Sequence, residues 1–182
     1  MLKIHVANCN STNSLIKQHL TKNINEIVVL TSEEQNMGRG QYARKWVSEK
    51  GGLYYSIGFE ASKIFYKRNN NITFFIAQII KQCLYKSCYQ IVNIEWPNDI
   101  ILNGKKLAGI LTEYIKINNK YYLVIGIGIN INQNVFPSYL KFSATSIYIE
   151  SNQKYSIQMI ESCITKNICN WYYEFVSKQK VD

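Results

Sequence analysis

The sequence has few of the residues that build metal sites or disulfide frameworks. Its 2 histidines, His5 and His19, are too few and too far apart to complete a transition-metal cluster. Its 5 cysteines are odd in number and include no C-x-x-C pair, which argues against a zinc site and a disulfide scaffold. We therefore expect free thiols and no transition metal.

The chain also lacks long hydrophobic runs and a secretory leader. Its longest apolar stretches, 72–80 and 121–131, are shorter than the roughly 18 residues that a membrane-spanning helix needs. Residues 1–6 alternate as in a strand and show neither the apolar region nor the cleavage site of a signal peptide. No membrane association is predicted, and the cytoplasm is the expected compartment.

Negative charge is in the minority, with 12 acidic against 21 basic residues and a net charge of +9. This excess favours an anionic partner, which could be a nucleotide, a nucleic acid or an acidic protein. For any single lysine, a solvated surface position is the better interpretation. The charge therefore indicates a class of partners, and motifs have to choose among them.

Hydrophobic periodicity predicts one α+β domain, a mixed or mostly antiparallel sheet with helices packed on it. The polar, glycine-containing stretch 32–45 is predicted as a loop, and Asn103-Gly104 and Asn118-Asn119 as hairpin turns. The predicted strands cover 2–8, 27–31, 52–59, 91–94, 100–102, 107–114 and 121–130, and the predicted helices cover about 11–19, 71–85 and 156–176.

The segment 38–46 has the composition of an anion-binding loop. Gly38 and Gly40 let backbone N–H groups approach a ligand, while Arg39 and Arg44 add positive charge. Trp46 could stack on a nucleobase. The segment is neither a Walker A loop nor a G-x-G-x-x-G that opens a helix. Taken alone, it would also fit an ordinary exposed turn.

Lys106 precedes the apolar strand segment 107–111. An amine at such an edge can anchor a carboxylate or phosphoryl group, because a low dielectric strengthens its field. A hairpin turn with solvated lysines is the alternative. Gly109, Gly126 and Gly128 lie inside predicted strands, where glycine suggests the close approach of a ligand or another backbone.

Taken in order, seven segments resemble the catalytic domain of biotin protein ligases. The segments are 11–13, 34–40, 44–46, 51–54, 96–99, 106–111 and 126–130. The resemblance extends from about residue 2 to about residue 177. It implies a fold like that of class II aminoacyl-tRNA synthetases and a single catalytic domain over 1–182. Neither an N-terminal DNA-binding domain nor a small C-terminal domain is expected.

The resemblance implies a two-step reaction. The carboxylate of biotin attacks the α-phosphate of ATP, with Mg²⁺ assisting, and a lysine of a biotin carboxyl carrier protein then attacks the biotinyl-5'-AMP. The expected partner is therefore an acidic carrier domain and not DNA, and a homodimer is left open.

The resemblance also assigns residues to each step, with Asp99 orienting or deprotonating the incoming lysine. The implied catalytic residues are Arg39, Arg44, Asp99 and Lys106. The implied biotin-binding residues are Ser11, Thr12, Asn13, Gln35, Gly38, Arg39, Gly40, Lys106, Gly109 and Gly126. The implied nucleotide-binding residues are Arg39, Arg44, Trp46, Asn98, Lys106 and Asn130.

The sequence departs from the family pattern at three internal positions. Gln41 stands where relatives often have an arginine, Ala43 where a glycine is usual, and Glu95 where a lysine is usual. Fewer cations near the adenylate predict weaker retention of it, and hence leakage of activated biotin.

Three alternatives stay open. A lipoate protein ligase shares the chemistry, although its R-R-x-x-G-G type signature is absent from this sequence. A non-catalytic module that binds nucleic acid would explain the charge. A decayed ligase would bind biotin without transferring it.

Overall fold

The computed structural model describes residues 1–22, 26–61 and 71–178, and the side chains of 175–178 fall outside the described part. The end of the predicted terminal helix, including Phe175, is therefore described only as backbone. Within the described ranges, no helix combines the length and apolar character needed to cross a membrane.

Seven strands form one sheet in the order β1-β2-β3-β7-β6-β5-β4. Strands β1 and β2 are parallel, and every other neighbouring pair is antiparallel, so the prediction of a mixed, mostly antiparallel sheet is confirmed. The strands are β1 (Leu2–Cys9), β2 (Val28–Gln35), β3 (Gly52–Glu60), β4 (Asn93–Glu95), β5 (Asp99–Leu102), β6 (Lys105–Ile117) and β7 (Lys120–Asn130).

Three of the helices were predicted from periodicity, and one short helix was not. The helices are α1 (Thr12–Leu20), α2 (Ile72–Cys88), α3 (Ile147–Ser151) and α4 (Ile157–Lys178). Helix α3 is too short to show an amphipathic repeat. Its start is marked instead by a cap, since the Ser146 hydroxyl accepts the Ile149 backbone N–H at 3.1 Å.

The predicted loop 32–45 is wrong at its N-terminal end. Strand β2 continues to Gln35, because 32–35 pairs with β1 and Ser32 also pairs with β3. Ladder hydrogen bonds on both sides outweigh the polar composition of this stretch. Further along, Arg39 and Lys45 form an antiparallel bridge, so the segment closes into a hairpin-like turn.

The two faces of the sheet bury different helices, as strand alternation requires. The odd-numbered residues of 53–59 and 123–129 belong to the large core formed with α2 and α4. On the opposite face, Ile16 and Leu20 of α1 pack against Val28, Leu30 and Val124. Each fully buried aliphatic side chain contributes about 1.5–3 kcal/mol. The even-numbered glycines of β7, Gly126 and Gly128, lie on the α1 face.

Candidate functional site

Two neighbouring cavities open on the α1 face of the sheet, with volumes of about 50 Å³ and about 230 Å³. Gly40, Trp46 and Lys106 line both and form their boundary. Of the predicted biotin-binding residues, the first cavity is lined by Ser11, Thr12, Asn13, Gln35, Arg39, Gly40, Lys106, Gly109 and Gly126. Of the predicted nucleotide-binding residues, the second cavity is lined by Arg44, Trp46, Lys106 and Asn130.

Trp46 lies across the strand glycines and keeps the first cavity small. A Cβ placed at Gly128 would be 2.5 Å from Trp46 Nε1, and one at Gly109 would be 3.1 Å from Trp46 Cζ3. Only glycine lets an indole lie this close to the sheet. Because ligand sites usually have volumes of roughly 300–1,000 Å³, a small molecule can fill the first cavity only if Trp46 moves. Trp46 Nε1 is buried and has no hydrogen-bond partner among the described residues.

A hydrogen-bonded cluster forms the wall of the first cavity beside α1. Gln35 Oε1 accepts from the Thr12 backbone N–H at 2.8 Å and from the Thr12 hydroxyl at 3.1 Å. Ser56 Oγ lies 2.8 Å from Thr12 Oγ1 and 2.5 Å from Asn13 Oδ1. On the other side, Gln35 Nε2 donates to Ser48 Oγ at 2.8 Å. The cluster holds these amides and hydroxyls at fixed positions, where they can discriminate a polar head group.

The Glu113 carboxylate, at the end of this cluster, binds two cationic side chains and one amide. Its carboxylate accepts from Lys17 Nζ at 3.1 Å, from Arg39 Nη2 at 3.1 Å and from Asn13 Nδ2 at 2.9 Å. Arg39 is therefore ion-paired within the protein, although it shares the single charge of Glu113 with Lys17 and 40% of its side chain is exposed. An anion that binds Arg39 must share it with Glu113 or displace it.

Lys106 reaches the cavity because of an irregularity in β6. Ala108 pairs with Ile100 and Lys106 with Ile101, so Leu107 is an extra residue between two consecutive positions of β5. Leu107 and Ala108 consequently both face the core. Lys106 and Gly109 then share the opposite face, where Lys106 Cε is 3.6 Å from a Cβ built at Gly109. Such bulges redirect side chains near functional sites.

The Lys106 amine lies between a carboxylate and an aromatic ring. Its Nζ is 2.6 Å from Asp99 Oδ2 and 5.6 Å from the centre of the Trp46 ring, within the range of a cation–π contact. Asn98 Nδ2 donates to Asp99 Oδ1 at 2.9 Å and so fixes the carboxylate. Asn98 itself is not among the residues that line either cavity.

The segment 38–46 is folded on itself. Gly40 N–H donates to Arg44 C=O at 2.7 Å, and Trp46 N–H donates to Gly38 C=O at 2.9 Å. A Cβ at Gly38 would be 2.5 Å from both Ser48 Oγ and Trp46 C=O, so this glycine serves chain packing and does not line a cavity. At the tip, Tyr42 and Ala43 have left-handed φ values of 55° and 58°.

The second cavity is bordered by a buried amide network. Asn130 Nδ2 donates to Thr145 C=O at 2.9 Å, and Asn130 Oδ1 accepts from Gln133 Nε2 at 3.3 Å. Hydrogen bonds from the Thr145 hydroxyl and from Asn103 lower the pKa of the Glu150 carboxyl. These bonds connect Thr145 and Asn103 to α3. Burial raises the pKa of the nearby Tyr54 hydroxyl, which therefore stays neutral.

Sequence reasoning missed several polar residues of the site, namely Lys17, Ser48, Ser56 and Glu113. Glu113 carried a usable signal, because a carboxylate in a strand just after the apolar run 107–111 needs a partner. Ser56 and Ser48 carried none, since an isolated serine in a strand is unremarkable until its neighbours are known.

Comparison with known proteins places these observations in a family. Residues 6–130 match the biotin/lipoate A/B protein ligase family. The bifunctional ligase/repressor BirA of Bacillus subtilis (strain 168) is 34% identical over 164 residues, which are 86% of this chain and 50% of that relative. The chain thus spans about half the length of this curated relative.

Solved structures show the same architecture. The biotin protein ligase from Aquifex aeolicus, in complex with biotin and ATP, superposes with a TM-score of 0.76 at 28% identity, covering 93% of this chain and 69% of that one. P. falciparum LipL1 in complex with lipoate superposes with a TM-score of 0.60 at 14% identity, covering 95% and 60%. This second likeness concerns the fold alone.

Proposed function

This chain belongs to the biotin/lipoate A/B protein ligase family, and from that premise we propose that it activates biotin with ATP and transfers it to a lysine of a carrier protein. One observation carries the proposal. A cavity walled by fixed amides and hydroxyls and a larger cavity meet at Lys106 and Trp46. Two substrates bound in these cavities would bring a carboxylate and a phosphate together at that boundary.

The first cavity suits biotin. The ring of this acid carries a urea group, which needs both donors and acceptors, and Thr12, Asn13 and Gln35 supply them. The acid's tail ends in a carboxylate, for which Arg39 and Lys106 are the cations at the cavity wall. The unpartnered Trp46 N–H supplies a donor that a bound ligand would satisfy.

The second cavity suits the nucleotide. Arg44 provides charge for phosphates, Trp46 an aromatic face for the adenine, and Asn130 a fixed amide. We propose that Mg²⁺ arrives with the ATP phosphates, since the described residues contain no group of three or more metal-ligating side chains. Magnesium commonly binds through one or two carboxylates plus substrate phosphates, and Asp99 is the carboxylate beside Lys106. When bound, the ion neutralises phosphate charge.

The protein's part in the first step is positioning and charge stabilisation. Lys106 and Arg39 hold the carboxylate against the α-phosphate. A carboxylate oxygen bonds to the α-phosphorus while the bond from that phosphorus to the oxygen bridging to the β-phosphate breaks, and pyrophosphate leaves. The negative charge on the phosphate oxygens is stabilised by these cations where the dielectric is low. Trp46 and the 38–46 segment then cover the mixed anhydride and exclude water.

The second step needs a neutral acceptor lysine. Asp99 is the group we propose to accept its proton, with Asn98 fixing the carboxylate through the 2.9 Å hydrogen bond. The chain's net charge of +9 would attract an acidic carrier domain. The cytoplasm, where ATP is available, is the compartment we propose.

The decisive experiment measures biotin-dependent pyrophosphate exchange and the labelling of a carrier domain by wild type and Lys106→Ala. Removing one charge-stabilising group should lower kcat/KM by about 10²–10³-fold. Lys105→Ala is the matched control, because this neighbouring lysine lines neither cavity, and its rate should stay within about twofold of wild type. Equal rates for Lys106→Ala and wild type would refute the assignment.

Lipoate is the competing substrate, since the family includes lipoate ligases. Lipoate has no urea group, so it cannot make the hydrogen bonds with Thr12, Asn13 and Gln35 that we propose for biotin, which disfavours it. We expect kcat/KM for biotin to exceed that for lipoate by at least about 10³-fold. The opposite preference would reassign the site to lipoate while leaving the adenylation chemistry intact.

A further inference from the structure

Two cysteines from different helices meet on the side of the sheet opposite the cavities. Cys83 of α2 and Cys163 of α4 are 80 residues apart in sequence, and their Sγ atoms are 2.7 Å apart. Both are free thiols. A disulfide requires sulfur atoms at about 2.05 Å, so the two sulfur atoms must approach each other further for a bond to form.

The surroundings give the two thiols different roles. Cys83 is buried in the large core, and burial raises the pKa of its thiol. Cys163 is half-buried, so a small oxidant reaches it first. The Asn167 side-chain amide lies 3.7 Å from each sulfur and donates to Cys163 C=O at 2.8 Å. This amide can donate to whichever sulfur carries negative charge.

We propose that Cys83 and Cys163 form a reversible oxidation site, at which a peroxide converts the two thiols into a disulfide that joins α2 to α4. This proposal does not depend on the proposed ligase function. Neither cysteine lines a cavity of the candidate site, and the predicted absence of a structural disulfide framework is compatible with a bond that forms only under oxidation.

The chemistry balances with hydrogen peroxide as the oxidant. The Cys163 thiolate attacks one peroxide oxygen, an S–O bond forms, the O–O bond breaks, and hydroxide leaves to give a sulfenic acid. Cys83 then attacks the Cys163 sulfur, an S–S bond forms and the S–O bond breaks. The departing hydroxide takes the Cys83 proton as water. Two thiols are thus oxidised while one peroxide is reduced to two waters.

The expected consequence is a change in stability. The bond would close a long loop of the unfolded chain and so reduce its entropy. For a chain of this size, we expect the Tm to rise by roughly 5–15 °C on oxidation and to return after treatment with dithiothreitol. The site residues lie on the other face of the sheet, so no cavity residue changes.

The test treats wild type, Cys163→Ser and Cys169→Ser with equimolar hydrogen peroxide. Cys169 is the matched control, because it is also half-buried on α4. Non-reducing peptide mass mapping should link the peptides that contain 83 and 163 in wild type and Cys169→Ser only. The reversible rise in Tm should follow the same pattern.

Other outcomes overturn the proposal. The first is a Tm shift in Cys163→Ser equal to that in wild type. The second is a disulfide that involves a different cysteine or joins two molecules. The third is an oxidised Cys163 beside a Cys83 that still reacts with an alkylating agent. Because Cys163 is half-buried, its replacement by serine should leave the reduced protein folded, and a Tm close to wild type before oxidation verifies this.

Discussion

Gly126→Ala tests the construction of the first cavity most directly. A Cβ at Gly126 would be 2.2 Å from Asn13 Oδ1 and 2.7 Å from Asn13 Cγ, distances that real Cβ atoms do not show. Asn13 is 4% exposed and is held by Ser56 at 2.5 Å and by Glu113 at 2.9 Å. It is therefore a fixed side chain that cannot simply turn away.

The size of the effect follows from these contacts. Overpacking in a closed site costs about 1–3 kcal/mol, and a buried amide that loses its partners costs about 1–3 kcal/mol more. A combined loss of about 3 kcal/mol corresponds to a fall in Tm of about 6–12 °C for a chain of this size. Because Asn13 would be pushed into the cavity, biotin affinity should fall at least about tenfold.

Thermal unfolding and calorimetric titration with biotin measure both effects, and a double-mutant cycle identifies the cause. Once Asn13→Ala removes the clashing atoms, adding Gly126→Ala should cost less than about 1 kcal/mol, so the two changes should be strongly non-additive. Gly40→Ala is the control for the stability measurement, because its Cβ would meet only Arg44 C=O, at 3.8 Å. Additive effects, or a Gly126→Ala variant as stable as wild type, would show that Asn13 does not occupy this position.

Two further predictions concern the tip of the 38–46 segment. Ala43→Gly should raise the free energy of unfolding by about 0.5–1 kcal/mol in urea titrations, since φ is 58° there and glycine adopts this region without strain. The control Ala77→Gly, inside α2, should lower the free energy of unfolding by at least about 1 kcal/mol. A loss of stability at both positions would contradict the reasoning. Gln41→Arg should slow the release of biotinyl adenylate several-fold in a filter assay, because Gln41 lines the second cavity and the change adds a cation there. The control Gln153→Arg adds the same charge at an exposed position. Equal rates of release by the two variants would show that position 41 does not affect retention of the adenylate.

The fold could be predicted from sequence where one physical signal dominated. Strand alternation located β3 and β7 to within a residue or two, and helical spacing located α2 and α4. The extension of β2 through Gln35 could not be predicted, because its strand conformation comes from pairing with β1 and not from its own composition.

The sequence indicated many of the residues that line the two cavities but not their arrangement. Strand glycines indicated a close approach, yet the group that approaches two of them, Gly109 and Gly128, is Trp46. The position of Lys106 depends on one extra residue in β6, and a sequence that reads as an uninterrupted strand does not reveal a bulge. Glu113 and Ser56 were missed because their partners come from α1, far away in the chain.

The two cations of the site are held in internal ion pairs. Arg39 is bound to Glu113 at 3.1 Å and Lys106 to Asp99 at 2.6 Å, and both pairs are partly shielded from water. The desolvation of these cations is therefore already offset before any substrate arrives, and a bound carboxylate gains only the difference between two similar partners. The acyl phosphate offers more acceptor oxygens than the carboxylate, and it therefore gains more from the same two cations. Binding in this site should consequently be modest for the acid alone and much tighter for the acyl phosphate, which is the order that catalysis by differential binding requires.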